Sequence, residues 1–199
     1  MKKTILIGFT AVLFSACGNK TETSNEAPTN SLPTSTTAPV VANDAEGIIG
    51  IIDVPEILTL AYKDSSAQEE IGFKMGKGYG AIEEDMQTLS LDSEGLPAGA
   101  IYYSNDPKNF VFECIVPINK IPASQPKNST VVVLEATRAV VYNYYGPYNN
   151  MMGAYEKLKQ YLAENKLEQT GPAREFYLSD PTTEKDPAKW LSKIYIPVK

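Results

Sequence analysis

The 199-residue chain has no histidine, only two cysteines and a single tryptophan. Without an imidazole, no Ser-His-Asp or Cys-His nucleophile can be assembled, zinc has no histidine ligand, and the commonest haem ligation is excluded. Any catalysis would have to run on carboxylates, tyrosines or lysines. Positive charge is also in short supply: 18 Lys and Arg stand against 24 Asp and Glu, a formal net charge of −6. No basic stripe is present to neutralise phosphates, so nucleic acid is not an expected partner. Nor is there a membrane span near the start. The apolar run from Ile5 to Phe14 is too short to act as a stable transbilayer anchor.

That run follows Lys2 and Lys3 and precedes Ser15-Ala16-Cys17. The arrangement resembles a bacterial lipoprotein signal over residues 1–16, with Phe14 where the pattern usually has Leu, Val or Ile. The resemblance implies that Cys17 becomes the lipidated first residue of an extracytoplasmic protein. An ordinary secretory signal cleaved near Ala16 is the alternative, and it gives the same compartment. Gly18 is not the acid that retains some lipoproteins at the inner membrane, so the outer membrane is expected. Loss of residues 1–16 removes two lysines and no acid, leaving 16 bases against 24 acids and a net charge of −8. With Cys17 lipidated, Cys114 has no disulfide partner, and its apolar strand makes it a core residue or a pocket wall.

Residues 17–45 are rich in Thr, Ser, Asn, Pro and Ala without apolar periodicity, and are expected to form a disordered tether. As a flexible coil of about 28 residues it would hold a domain on the order of 30 Å from the membrane. Residues 46–199 are the right length for one domain with a real core.

Within that domain two stretches echo each other. Gly95-Leu-Pro leads to Asp106-Pro107 and Phe112-Glu-Cys-Ile-Val-Pro117. Gly171-Pro leads to Asp180-Pro181 and Leu191-Ser-Lys-Ile-Tyr-Ile-Pro197. Each reads as a β-hairpin split by an Asp-Pro turn, at roughly 98–104 with 110–119 and 173–179 with 190–198. A tyrosine, Tyr79 or Tyr155, stands 16 residues before each glycine on a stretch that reads as helix. The helices are expected over Ser66–Leu89, with a glycine-weakened first half, and Tyr148–Lys166, with Met152, Tyr155, Leu158, Tyr161 and Leu162 on one stripe. Strands are expected over Gly47–Tyr62, with an edge or bulge at Pro55, and over Val131–Tyr145. The fold class is therefore α+β: duplicated β-α-β-β repeats (46–127 and 128–199) with pseudo-twofold symmetry, in which antiparallel sheets and two helices enclose a central cleft.

Strand parity sorts the side chains. Ile194 and Ile196 should pack on the helices, leaving Lys193 and Tyr195 on the other face, with Glu113 and Ile115 as their repeat counterparts. Glu175 and Tyr177 share a face, with Ile101 and Tyr103 as counterparts, and Tyr142 and Tyr144 share another strand's face. Together these suggest one tyrosine-rich wall carrying two carboxylates, suited to a hydrophobic molecule, cationic ones included. Tyr148 and Trp190 complete the candidate set. The plainer alternatives are tyrosines that only pack, Trp190 as a cap, Met151-Met152 in the core, and Glu113–Lys193 or Glu175–Arg174 as ion pairs.

Tyr145-Gly-Pro-Tyr148, Gly171-Pro-x-x-Glu175-x-Tyr177, Asp180-Pro and Trp190-x-x-x-Ile-Tyr-Ile-Pro-Val198 resemble the GyrI-like small-molecule-binding domain, the effector-binding domain of AraC- and MerR-type regulators. The resemblance implies a SOUL-like duplicated fold, a hydrophobic and often cationic ligand, and a buried glutamate, best carried here by Glu175. It implies no cofactor. Lys193 departs from it, since many relatives have an acid there. The absence of a DNA-binding domain and the compartment argue against a transcriptional role. The leading expectation is a lipid-anchored binding protein. The alternatives are a GyrI-like hydrolase using Glu175 and Glu113 without metal, a tetrapyrrole binder with Tyr or Met ligation, and a purely structural lipoprotein.

Overall fold

The computed structural model describes residues 45–104, 106 and 108–199. The signal-like segment, Cys17, the tether up to residue 44, and Pro107 of the first Asp-Pro turn lie outside them. Eight strands and two helices follow in the order β1 (Gly47–Val54), β2 (Ile57–Ser66), α1 (Ile71–Leu89), β3 (Gly99–Tyr102), β4 (Phe110–Pro117), β5 (Thr130–Leu134), β6 (Thr137–Tyr145), α2 (Met152–Glu164), β7 (Ala173–Tyr177) and β8 (Leu191–Pro197). The fold is α+β as expected, but all strands join a single antiparallel sheet, ordered β1-β6-β8-β7-β3-β4-β2-β5. The element order β-α-β-β occurs as β2-α1-β3-β4 and again as β6-α2-β7-β8, and β3 pairs with β7 in the middle of the sheet. No helix among the described residues is long and apolar enough to cross a membrane.

Tertiary pairing moves several boundaries. The strand expected over Gly47–Tyr62 breaks at Pro55-Glu56, where proline has no N–H to give the ladder. The strand expected over Val131–Tyr145 breaks at Glu135-Ala136. β2 runs on to Ser66 because Ser65 and Ser66 pair with Val111 and Phe110, so α1 starts at Ile71 rather than Ser66. Its glycines do not interrupt it: α1 is continuous to Leu89. At the second helix a short 3-10 turn over Tyr148–Asn150 precedes α2, and this rotates Met152 into solvent while Met151 takes the buried position.

Both helices lie on one face of the sheet. Ala154 and Leu158 of α2 pack on Tyr142, Ile194 and Ile196. Ile82 of α1 packs on Leu60, Phe112 and Cys114. Burying Leu158 and Ile82 stabilises the fold by about 1.5–3 kcal/mol each. The close approach of α1 to β2 needs Gly78, where a Cβ would stand 2.8 Å from the Tyr62 ring. Asp85, also on α1, fastens the segment entering β5: its carboxylate accepts from the backbone N–H groups of Lys127, Asn128 and Ser129 and from the Ser129 hydroxyl. Burial opposes ionisation there, but these donors outweigh it and hold the Asp85 pKa below its ordinary value.

The face away from the helices curls on itself. β1 and β2 are joined across the Pro55 break, although they stand six positions apart in the sheet order. The Arg174 guanidinium on central β7 reaches the Glu135 carbonyl between β5 and β6, 3.4 Å away. This curl turns a flat face into a cleft.

Candidate functional site

The cleft has a volume of about 390 Å³, within the range of small-molecule sites. Its walls come from distant parts of the chain: Val54 and Ile57 beside the Pro55 break, Leu96 and Pro97 ahead of β3, Pro117 at the end of β4, Phe176 to Asp180 leaving β7, and Lys193 and Tyr195 on β8. The Phe176 and Tyr195 rings meet edge to face, 5.5 Å apart, and form its aromatic wall. Burial raises the Tyr195 pKa, so this tyrosine is a neutral phenol. Lys193 is 5% exposed. Asp180 is exposed at the rim, and Thr182 occupies both its carboxylate oxygens.

A second polar cluster lies behind the sheet, under the helices. Glu175 is 4% exposed and accepts hydrogen bonds from the hydroxyls of Tyr155 on α2 (2.5 Å) and Tyr177 (3.0 Å). The Tyr102 hydroxyl stands 3.1 Å from that of Tyr177, and the Tyr79 hydroxyl donates to the Gly99 carbonyl at 2.7 Å. Burial raises the Glu175 pKa; the hydroxyls of Tyr155, Tyr177 and Tyr102 pull it down without cancelling that effect. Burial and the Glu175 charge raise all three of these tyrosines, which stay neutral donors. The junction of β3 with β7 is close enough that a Cβ on Gly99 would fall 2.3 Å from the Glu175 carbonyl oxygen.

The ten candidate residues therefore do not share one wall. Residues paired across antiparallel strands lie on the same face. Glu175 pairs with Ile194, Tyr142 with Ile194, and Tyr177 and Tyr144 with Ser192, so all four belong to the helix side. Lys193 and Tyr195 stand on the cleft side as expected. Tyr177 touches both regions, lining the cleft while its hydroxyl binds Glu175. Glu113 and Tyr103 are on the cleft side but outside the lining. There the Tyr103 hydroxyl donates to Glu113 at 2.5 Å and Lys63 sits 3.7 Å over the Tyr103 ring. Burial and the Glu113 contact raise Tyr103. Tyr148 stacks between Tyr177 and Trp190, with 5.0 Å to each ring, and the Trp190 indole N–H donates to the Glu184 carbonyl.

Neither of the ion pairs weighed as plainer alternatives forms. Two strands separate Glu113 from Lys193, and Glu175 and Arg174 point to opposite faces because they are neighbours on one strand. Cys114 is buried in the core, and burial pushes its thiol up to about 12, which removes it as a nucleophile. No group of three metal-ligating side chains occurs among the described residues. Phe176, Leu96 and the tyrosines Tyr79, Tyr102 and Tyr155 were not among the candidates. The equal 16-residue spacing of Tyr79 and Tyr155 from their glycines was the one visible signal for the buried cluster.

Among solved structures the chain is similar to the C-terminal domain of EcmrR (TM-score 0.67, 21% identity, covering 75% of this chain and 95% of that one). The EcmrR chain in a DNA complex is matched over 56% of its length, at 23% identity and TM-score 0.67. A hydrolase encoded by lin2189 from Listeria innocua matches at TM-score 0.58 and 14% identity, covering 80% of this chain and 94% of that one. SAV2435, bound to tetraphenylphosphonium, matches at TM-score 0.57 and 13% identity, covering 75% and 92%. At these identities the likeness is one of fold. No curated protein matches the sequence. Residues 50–199 match the family described as the GyrI-like small molecule binding domain, and on that match the chain belongs to the GyrI-like family.

Proposed function

We propose that this protein is a lipid-anchored extracytoplasmic binding protein that holds a small hydrophobic molecule in the cleft on the open side of its sheet. The observation that carries the reading is the cleft itself: about 390 Å³, walled by Phe176, Tyr195, Leu96 and Val54 with few polar groups, in a chain of a small-molecule-binding family. The anchoring rests on the Lys2-Lys3, apolar run and Cys17 pattern, and a net negative charge supports a partner other than nucleic acid. A cation held by a buried glutamate is less well supported. Glu175 and Glu113 both lie outside the cleft lining, with their oxygens engaged by tyrosines. The same placement weighs against the hydrolase reading, which needs a carboxyl group facing the substrate.

Two measurements test this. Titration with the neutral probe N-phenyl-1-naphthylamine should give saturable fluorescence enhancement, weakened about tenfold or more by Phe176→Ala or Tyr195→Ala. Non-saturable binding, or binding indifferent to both substitutions, refutes the site. Labelling of cells with radioactive palmitate should mark the native chain and not Cys17→Ser; equal labelling of both refutes the anchor.

A further inference from the structure

One lysine lines the cleft without an ion pair. Lys193 is 5% exposed and lines the cleft, and among the described residues it takes part in no ion pair or hydrogen bond. Its cross-strand neighbours are both neutral, Asn143 on β6 and Phe176 on β7. No other charge pairs with it. Asp180, the one acid among the lining residues, is exposed to solvent at the rim. Glu113 lies two strands beyond β7's side of the sheet and accepts from Tyr103. Arg174 and Lys63, on the same face, add positive charge: Arg174 donates to a backbone carbonyl and Lys63 rests on an aromatic ring. The sheet itself separates Glu175 from the cleft.

The Lys193 stem is buried while its ammonium keeps contact with solvent at the cleft, where its field acts on whatever enters. A bound anion would be attracted to it, whereas a bound cation would meet a like charge at short range. We propose that the cleft takes a small apolar molecule carrying one negative charge, such as a carboxylate or sulfonate, with the Lys193 ammonium as its counter-ion and Phe176 and Tyr195 as its apolar walls. This rests on the cleft being the ligand site. It departs from the cationic preference that the family resemblance implies.

Tetraphenylborate and tetraphenylphosphonium, equal in shape and opposite in charge, test it by calorimetric titration of the full chain. The borate should bind the native protein at least about tenfold more tightly, a difference of about 1.4 kcal/mol. Lys193→Gln should bring the two probes to within about threefold, and Lys193→Glu should reverse their order. Should Lys193→Glu fail to fold, Lys193→Gln and Lys193→Met decide. Equal affinities in the native protein, a phosphonium preference, or a borate preference that survives Lys193→Gln each overturn the charge assignment. In those cases the cleft survives as the site if Tyr195→Ala weakens both probes. No binding of either probe or of N-phenyl-1-naphthylamine overturns the cleft reading, and the charge assignment with it.

Discussion

Replacing Glu175 by glutamine keeps the side-chain volume and removes its titration. In the native protein burial raises the carboxyl pKa above its ordinary value of 4.5. Between that value and the raised native one, the folded state binds one proton more than the unfolded state. The contribution of Glu175 to stability is therefore fully present at acidic pH and is lost as pH rises through the native pKa, with a slope of up to about 1.4 kcal/mol per pH unit. The hydrogen bonds change little in the variant. The Tyr155 hydroxyl can still donate to the amide oxygen, and the Tyr177 hydroxyl can rotate to accept from the amide nitrogen. At acidic pH the substitution should cost no more than about 1 kcal/mol. Urea unfolding of both proteins, from about pH 4 to about pH 9, gives the stability of the variant minus that of the native protein. This difference should climb with pH and turn in the variant's favour above the native pKa. A difference that is flat or falling would refute the reasoning. It would mean that Glu175 is ionised throughout and that the tyrosine hydroxyls outweigh burial.

The glycines offer a contrast: Gly76 and Gly80 are helical, exposed and clear of neighbours within 4 Å, so Gly76→Ala and Gly80→Ala should each stabilise by about 0.5–1 kcal/mol in thermal melts. Gly99→Ala should instead destabilise by about 3 kcal/mol through its clash with the Glu175 backbone, and a neutral effect would show that β3 and β7 are further apart. Asp85→Asn should cost about 2–3 kcal/mol at neutral pH, because an amide nitrogen would face backbone donors. Since Asp85's native pKa is depressed, that advantage of the native protein is present above the ordinary value of 3.8 and should shrink as pH falls below it in the same unfolding assay.

Local signals served the elements well. Alternating apolar runs and Asp-Pro turns located both hairpins, and parity within β8 placed Lys193 and Tyr195 opposite Ile194 and Ile196. Pairing between distant strands was not legible. The repeat alignment set Glu175 against Ile101, but in the sheet Glu175 pairs with Ala100, and a slip of one residue moves a side chain to the other face. That single position decides whether the glutamate looks into the cleft or into the tyrosine cluster beneath the helices. The loop walls escaped for a related reason: Leu96 and Val54 line one cleft only because the sheet curls, and curvature leaves no periodic trace in the sequence. The 3-10 turn before α2 had the same effect on Met152.

The separation of the cleft walls along the chain has a thermodynamic consequence. Residues 54, 57, 95–97 and 117 supply one part and residues 176–180, 193 and 195 the other, so neither half of the domain contains a site. A ligand held there binds the completed sheet and nothing less, and its binding free energy adds in full to folding. At a hundred times its dissociation constant it would raise stability by about 2.7 kcal/mol. The occupied protein would then resist proteases and heat better than the empty one, and would last longer while its ligand is abundant.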